Sequence, residues 1–125
     1  MAYIRSETLA IAPTTGAATF TYQSDGTFNG YLHAIEYKPS TSVPPSSGAS
    51  LAITGERTGL ALLSIIDLST PPQTIYFPRF ATVNSTGGTS TGADRHPLFD
   101  ERIQVVVTSG STSGTKAATL RFFVE

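Results

Sequence analysis

Turn-forming clusters recur along this chain at intervals too short for a helical fold. Pro13-Thr14-Thr15-Gly16, Ser24-Asp25-Gly26, the Pro/Ser/Gly tract of residues 38–50, Gly55-Glu56-Arg57-Thr58-Gly59 and Pro71-Pro72 are the first five. Residues 84–93 (NSTGGTSTGA) and 109–115 (SGSTSGT) complete the series. Between them lie stretches of 4 to 15 residues, most of them 11 or fewer, a spacing that suits a series of short strands better than a series of helices. Thr (19) and Ser (14) make up about a quarter of the 125 residues, and β-branched Thr favours pleated structure.

The stretches alternate as strands do. Residues 3–11 mix β-branched and polar side chains. Residues 18–23 place Phe20 and Tyr22 on one face and Thr19 and Thr21 on the other. Ser24-Asp25-Gly26 is a strong turn signal ahead of residues 28–37, where Phe28, Leu32 and Ala34 share one face and Tyr31, His33, Ile35 and Tyr37 the other. Both faces are apolar, which suits a central strand or an interface. Residues 51–54 form a short strand. Residues 60–68 are the most apolar run, and their length fits a strand or a short helix; the β-rich surroundings favour a strand. Residues 73–77, 98–108 and 116–124 complete about eight strands, with 84–93 read as an exposed loop. The predicted fold is all-β: one domain over residues 1–125, an antiparallel sandwich of jelly-roll or immunoglobulin-like type, or a small barrel. In the turn at residues 55–59, at least one of Gly55 and Gly59 should need positive φ.

Adjacent aromatics on a strand face opposite ways. One of Phe122 and Phe123, and one of Tyr76 and Phe77, must therefore leave the core for a second layer, a loop or a partner. Tyr31, Tyr37 and Phe80 extend this aromatic set.

Charge and composition exclude several functions. Eight Lys and Arg against nine Asp and Glu leave a net charge of −1, with no basic stripe for direct nucleic-acid binding. With no cysteine there is no disulfide framework and no thiolate metal site. No apolar run approaches the ~20 residues of a membrane span, so no membrane partner is expected. The N-terminal residues lack the basic-then-apolar order of a secretory signal.

Candidate chemistry is sparse. Asp94, His96 and Asp100 lie close in sequence beside a Gly-rich stretch, but without the spacing of a calcium loop or a helical His pair, and polar residues near a turn account for them. His33 and Glu36 are three apart on a strand, hence on opposite faces. Gly87-Gly88 and Gly92 lack the lysine of a phosphate-binding loop, and Asn84-Ser85-Thr86 is a chance sequon match. Asp100-Glu101-Arg102 reads as an ordinary start to a strand. We expect no catalytic residues, no metal and no cofactor.

Four segments carry a family resemblance: Gly30-Tyr31-Leu32-His33-Ala34-Ile35-Glu36-Tyr37, Ile53-Thr54-Gly55-Glu56-Arg57-Thr58-Gly59, Tyr76-Phe77-Pro78-Arg79 and Asp100-Glu101-Arg102-Ile103-Gln104-Val105-Val106-Val107. Their order resembles small proteins encoded among the head and neck genes of tailed bacteriophages, over roughly residues 30–125. The resemblance implies a virion structural protein assembled in the bacterial cytoplasm. Within that implication a capsid decoration (cement) protein, dimeric or trimeric, leads, with the major capsid protein as partner. A neck protein at the head–tail junction is the alternative, and a carbohydrate-binding module is weakened by the absence of Trp. The parts expected to touch other subunits are the N-terminal segment, through Tyr3, Ile4, Arg5, Leu9 and Ile11, and the proline-rich loop, through Pro44 and Pro45. The segment could equally pair within its own sheet, whereas three prolines favour a loop that docks.

Overall fold

The computed structural model describes residues 4–12, 19–41, 49–68, 72–83, 89–108 and 118–125, with backbone alone for 80–83 and 89–93. Among them the chain forms eleven strands: β1 (Arg5–Ile11), β2 (Thr19–Gln23), β3 (Phe28–Pro39), β4 (Ser50–Gly55), β5 (Ala61–Ile65), β6 (Thr74–Tyr76), β7 (Arg79–Val83), β8 (Thr89–Arg95), β9 (Pro97–Glu101), β10 (Ile103–Thr108) and β11 (Ala118–Val124). Two antiparallel sheets, ordered β1-β11-β3-β6 and β2-β10-β4-β5, face each other. They make a sandwich and do not close into a barrel.

The strand order identifies the type of sandwich. Setting aside β7–β9, eight strands remain, and they pair first with last, second with seventh, third with sixth and fourth with fifth. A long antiparallel hairpin rolled over on itself gives this pairing, which is the jelly-roll order. An immunoglobulin-like order would put β1 and β2 in one sheet; here they lie in opposite sheets.

The inserted strands are the part the sequence pattern did not predict. β7 and β8 form a two-stranded ribbon of their own. Residues 89–93 therefore lie in β8 rather than in a loop, while 84–88 fall outside the described residues. β9 pairs with the N-terminal half of β3. The expected single strand 98–108 is thus two strands serving different sheets. Arg102 separates them, and just before it Asp100 forms a bulge within β9: its φ is 50°, and the register with β3 slips there, from Phe28↔Glu101 to Asn29↔Phe99. Aspartate tolerates this left-handed conformation better than most residues. The extra residue leaves Leu98 and Glu101 buried and Phe99 and Asp100 outside.

β3 shows the same device. Its register with β11 slips between Phe123 and Val124, so that His33 is the additional residue of a bulge. The inward set therefore changes parity along the strand, Phe28 and Leu32 before the bulge and Ile35 and Tyr37 after it. Two apolar faces in sequence become one buried face in space.

The core is a single cluster filled from both sheets. Ile11, Leu32, Ile35, Leu120 and Phe122 come from one and Leu51, Ile53, Val105 and Val107 from the other. Strict alternation explains β10 and β11, where each second residue is buried. Phe122 fills the core while its neighbour Phe123 turns to the outer face.

Among the described residues, Tyr37 is the fully buried core side chain with a polar tip. It is fully buried, and its hydroxyl donates to the Leu68 carbonyl at 2.8 Å. Burial, with Tyr76 nearby as a smaller cause, pushes its phenol up to about 12, so it stays a neutral donor. Tyr37→Phe leaves that carbonyl without its side-chain partner, and we expect a loss of about 1–2 kcal/mol in urea unfolding. An unchanged midpoint would refute the role given to this bond.

Candidate functional site

The buried ionisable groups come first, because a reactive site would draw on them. Glu101, 2% exposed, ends β9. Its Oε1 accepts from the Arg57 and Thr58 amides at 3.1 and 3.0 Å, and its carboxylate also takes the Thr58 hydroxyl and the Phe99 amide. Burial alone would raise its pKa, but these hydrogen bonds outweigh it and hold the carboxyl below the usual range. The carboxylate is thus the buried post on which the β4–β5 turn is hung. Arg57 Nη1 adds a bond to the Phe99 carbonyl at 3.0 Å.

Two further polar groups do similar work at the β2–β3 turn. Glu7 accepts from the Asp25 and Gly26 amides at 2.8 and 3.2 Å. Buried Ser24 donates to the Gly26 carbonyl and accepts from the Ile103 amide. His96 is buried as well; burial pulls its pKa below the ordinary imidazole value, so the ring is neutral at pH 7. Each of the two glutamates is committed to holding a turn. Asp94 and Asp100 are exposed. Among the described residues no three His, Asp or Glu side chains come together as a metal-sized group.

The surface carries a different kind of site. Tyr31, Phe77 and Phe99 are each about half exposed, at 47%, 58% and 50%. Cross-strand partners in an antiparallel pair share a face, and so do residues two apart. The pairs Tyr31↔Pro97 and Asn29↔Phe99 therefore put Tyr31 and Phe99 on one outer face. Phe77 joins them through His33, its ring meeting the imidazole edge-on at 6.1 Å. Arg79 Nη1 bonds the His33 carbonyl at 3.3 Å. His33 Nδ1 is shielded from water and has no hydrogen-bond partner.

One flank of this face is charged. Arg95 lies over the Tyr31 ring at 5.2 Å and bridges to Glu125 at 2.7 Å. The guanidinium holds the Glu125 carboxyl below the usual carboxylate range. The result is a set of exposed rings with an ion pair at its rim, an arrangement that suits protein contact better than bond-making chemistry.

The residues assigned to contacts from the sequence fall in different places. β1 pairs with β11 of its own chain along its whole length, from Arg5↔Val124 to Ile11↔Ala118. Ile11, 1% exposed, belongs to the domain's own core, and Leu9 packs against that core. Ile4 is exposed, and Arg5 reaches across the Phe28 ring at 5.2 Å. Tyr3, Pro44 and Pro45 lie outside the described residues. Tyr31 and Phe77 belong to the aromatic set seen in the sequence, and Phe77 is the exposed member of its adjacent pair. Phe99, Arg95 and Glu125 were missed. The sequence signal for Phe99 was Asp100, a residue suited to breaking an alternating strand.

Comparison with protein-family models, with curated proteins and with solved structures gave no match.

Proposed function

We propose that the chain is a non-enzymatic structural protein of a tailed-phage virion, a capsid decoration protein that stabilises the head. The observation that carries this reading is the outer face of Tyr31, Phe77 and Phe99, on a domain whose buried glutamate is committed to a turn. Exposed aromatics with a polar rim match the anatomy of a protein-binding hot spot. The resemblance of residues 30–125 to head and neck proteins points the same way. The jelly-roll order is one used by viral capsid and lectin domains, and a fold alone does not choose between them. A decoration protein acts by mass action: binding only the assembled shell, many copies hold it together.

The test is the copy number in purified particles of the phage that encodes the chain, by quantitative mass spectrometry. A count on the order of hundreds, following the capsid lattice, is expected. A count on the order of six or twelve, set by a ring at one vertex, assigns the chain to the neck instead. Absence from the particle overturns the reading. Replacing Phe77 and Phe99 by Ser should weaken binding to the shell at least ~10-fold. Their exposure predicts little change in melting temperature.

A further inference from the structure

We propose that the outer face of the first sheet carries a carboxylate-binding groove that takes an acidic side chain of a neighbouring shell protein. The proposal rests on the virion reading for its partner, and on the geometry below for its chemistry.

The groove has a volume of about 580 Å³. Its floor is Thr8 of β1, Glu36 and Lys38 of β3, and Thr119 and Arg121 of β11; Gln73 and residues 39–41 form its walls. Register places Arg121 opposite Glu36 and Thr119 opposite Lys38, so the two cations are diagonal neighbours on adjacent strands. Arg121 does not pair with the carboxylate opposite it. Its Nε donates to the Thr8 hydroxyl at 3.3 Å. Glu36 takes the Gln73 amide at 3.1 Å. Among the described residues the ion pair formed is that of Arg95 with Glu125. Lys38 and Arg121 thus line the groove, and among the described residues neither forms an ion pair.

Charge decides the occupant. Two cations against one amide-bound carboxylate leave the described lining net positive, and a planar guanidinium is built to grip a carboxylate with two parallel bonds. Pro39 and Ala118 are the apolar residues among the described lining, and the other eight are polar or charged. The contact is therefore electrostatic, sensitive to salt and separate from the aromatic face.

The experiment is co-sedimentation of the full chain with particles of its phage grown without it, at low and raised NaCl. Wild type should bind less tightly as NaCl rises. K38Q/R121Q should bind at least ~10-fold more weakly, with an unchanged melting temperature because both side chains are exposed. E36Q, which removes the groove's own anion, should bind at least as tightly as wild type. If K38Q/R121Q binds as wild type does, the groove is overturned while the virion reading stands. If the chain is absent from native particles and wild type does not bind, that reading falls and takes the groove's partner with it. A second measurement separates sources of carboxylate: NMR titration of the labelled protein with tetraglutamate and with tetragalacturonate. Shifts at the Lys38, Thr119 and Arg121 amides with the peptide support the proposal. A response to the saccharide alone assigns the groove to a glycan, and a response to neither removes the site; either result overturns the proposal.

Discussion

Replacing Glu101 by Ala should lower the unfolding free energy by about 3 kcal/mol, because it strips hydrogen-bond acceptors from several donors at once. The Arg57, Thr58 and Phe99 amides and the Thr58 hydroxyl all end on this carboxylate. Gln keeps the shape but loses the charge and turns an acceptor into a donor beside N–H groups, so Glu101→Gln should lie between Ala and wild type. The pH dependence has a definite sign. The folded-state pKa is depressed below the ordinary glutamate value. The stabilisation is therefore complete above that value and is lost as pH falls through the lower, folded-state value. Wild type should show an acid limb in its stability curve that Glu101→Gln flattens. Equal acid limbs in the two proteins would mean that the carboxylate does not hold the turn.

The same clamp separates the two glycines of its turn. Gly59 has φ 74°, as the turn requires of one of them, and an added Cβ would meet open space. Gly55 keeps negative φ, but its Cβ would collide with the Glu101 carboxylate. Substitution at Gly59 thus strains only the backbone, whereas at Gly55 it evicts the buried acceptor.

The strand pattern was legible where alternation is uninterrupted. β2, β10 and β11 keep their faces throughout, and period-2 burial follows directly from residues such as Ile103, Val105 and Val107. It failed at His33 and Asp100, where one extra residue flips the parity of everything beyond it. Bulges of this kind have no fixed sequence signature, since the partner strand decides whether a residue is skipped. The ribbon β7–β8 was illegible for another reason. Residues 89–93 are polar and small, and their strand character comes from backbone pairing alone. The aromatic face was half legible. The rule that adjacent aromatics diverge put one of Tyr76 and Phe77 outside, but the partnership of Tyr31 with Phe99 depends on β9, which contiguous alternation concealed. Glu101 was read as the start of an ordinary strand because a lone glutamate does not announce that the amides of residues 44 and 43 positions earlier in the chain will converge on it; only the fold brings residues 57 and 58 to residue 101.

Gly30→Ala should be the most damaging glycine-to-alanine change among the described residues, at about 4 kcal/mol or outright failure to fold. Gly30 has φ 147°, a conformation that side chains of L-residues rarely adopt. Its Cβ would also overlap the backbone carbonyl oxygen of Glu125. A side chain in that place could swing aside; this carbonyl cannot, because Glu125 is tied to Tyr31 by two backbone bonds of 2.9 Å, one in each direction. The glycine sits where β3 has β9 on one side, through Gly30↔Leu98, and the end of the chain close by on the other. A methyl group there pushes the Glu125 backbone away from Tyr31 and disturbs the Arg95–Glu125 bridge at the rim of the aromatic face. The effect should therefore appear as a lowered melting temperature and, on the proposed virion role, also as weaker shell binding in whatever fraction remains folded. Gly26→Ala serves as the control, since its Cβ would meet only the Glu7 carboxylate, at an ordinary 3.7 Å. If Gly30→Ala melts like Gly26→Ala, the close approach of Glu125 to β3 is not part of the folded protein in solution.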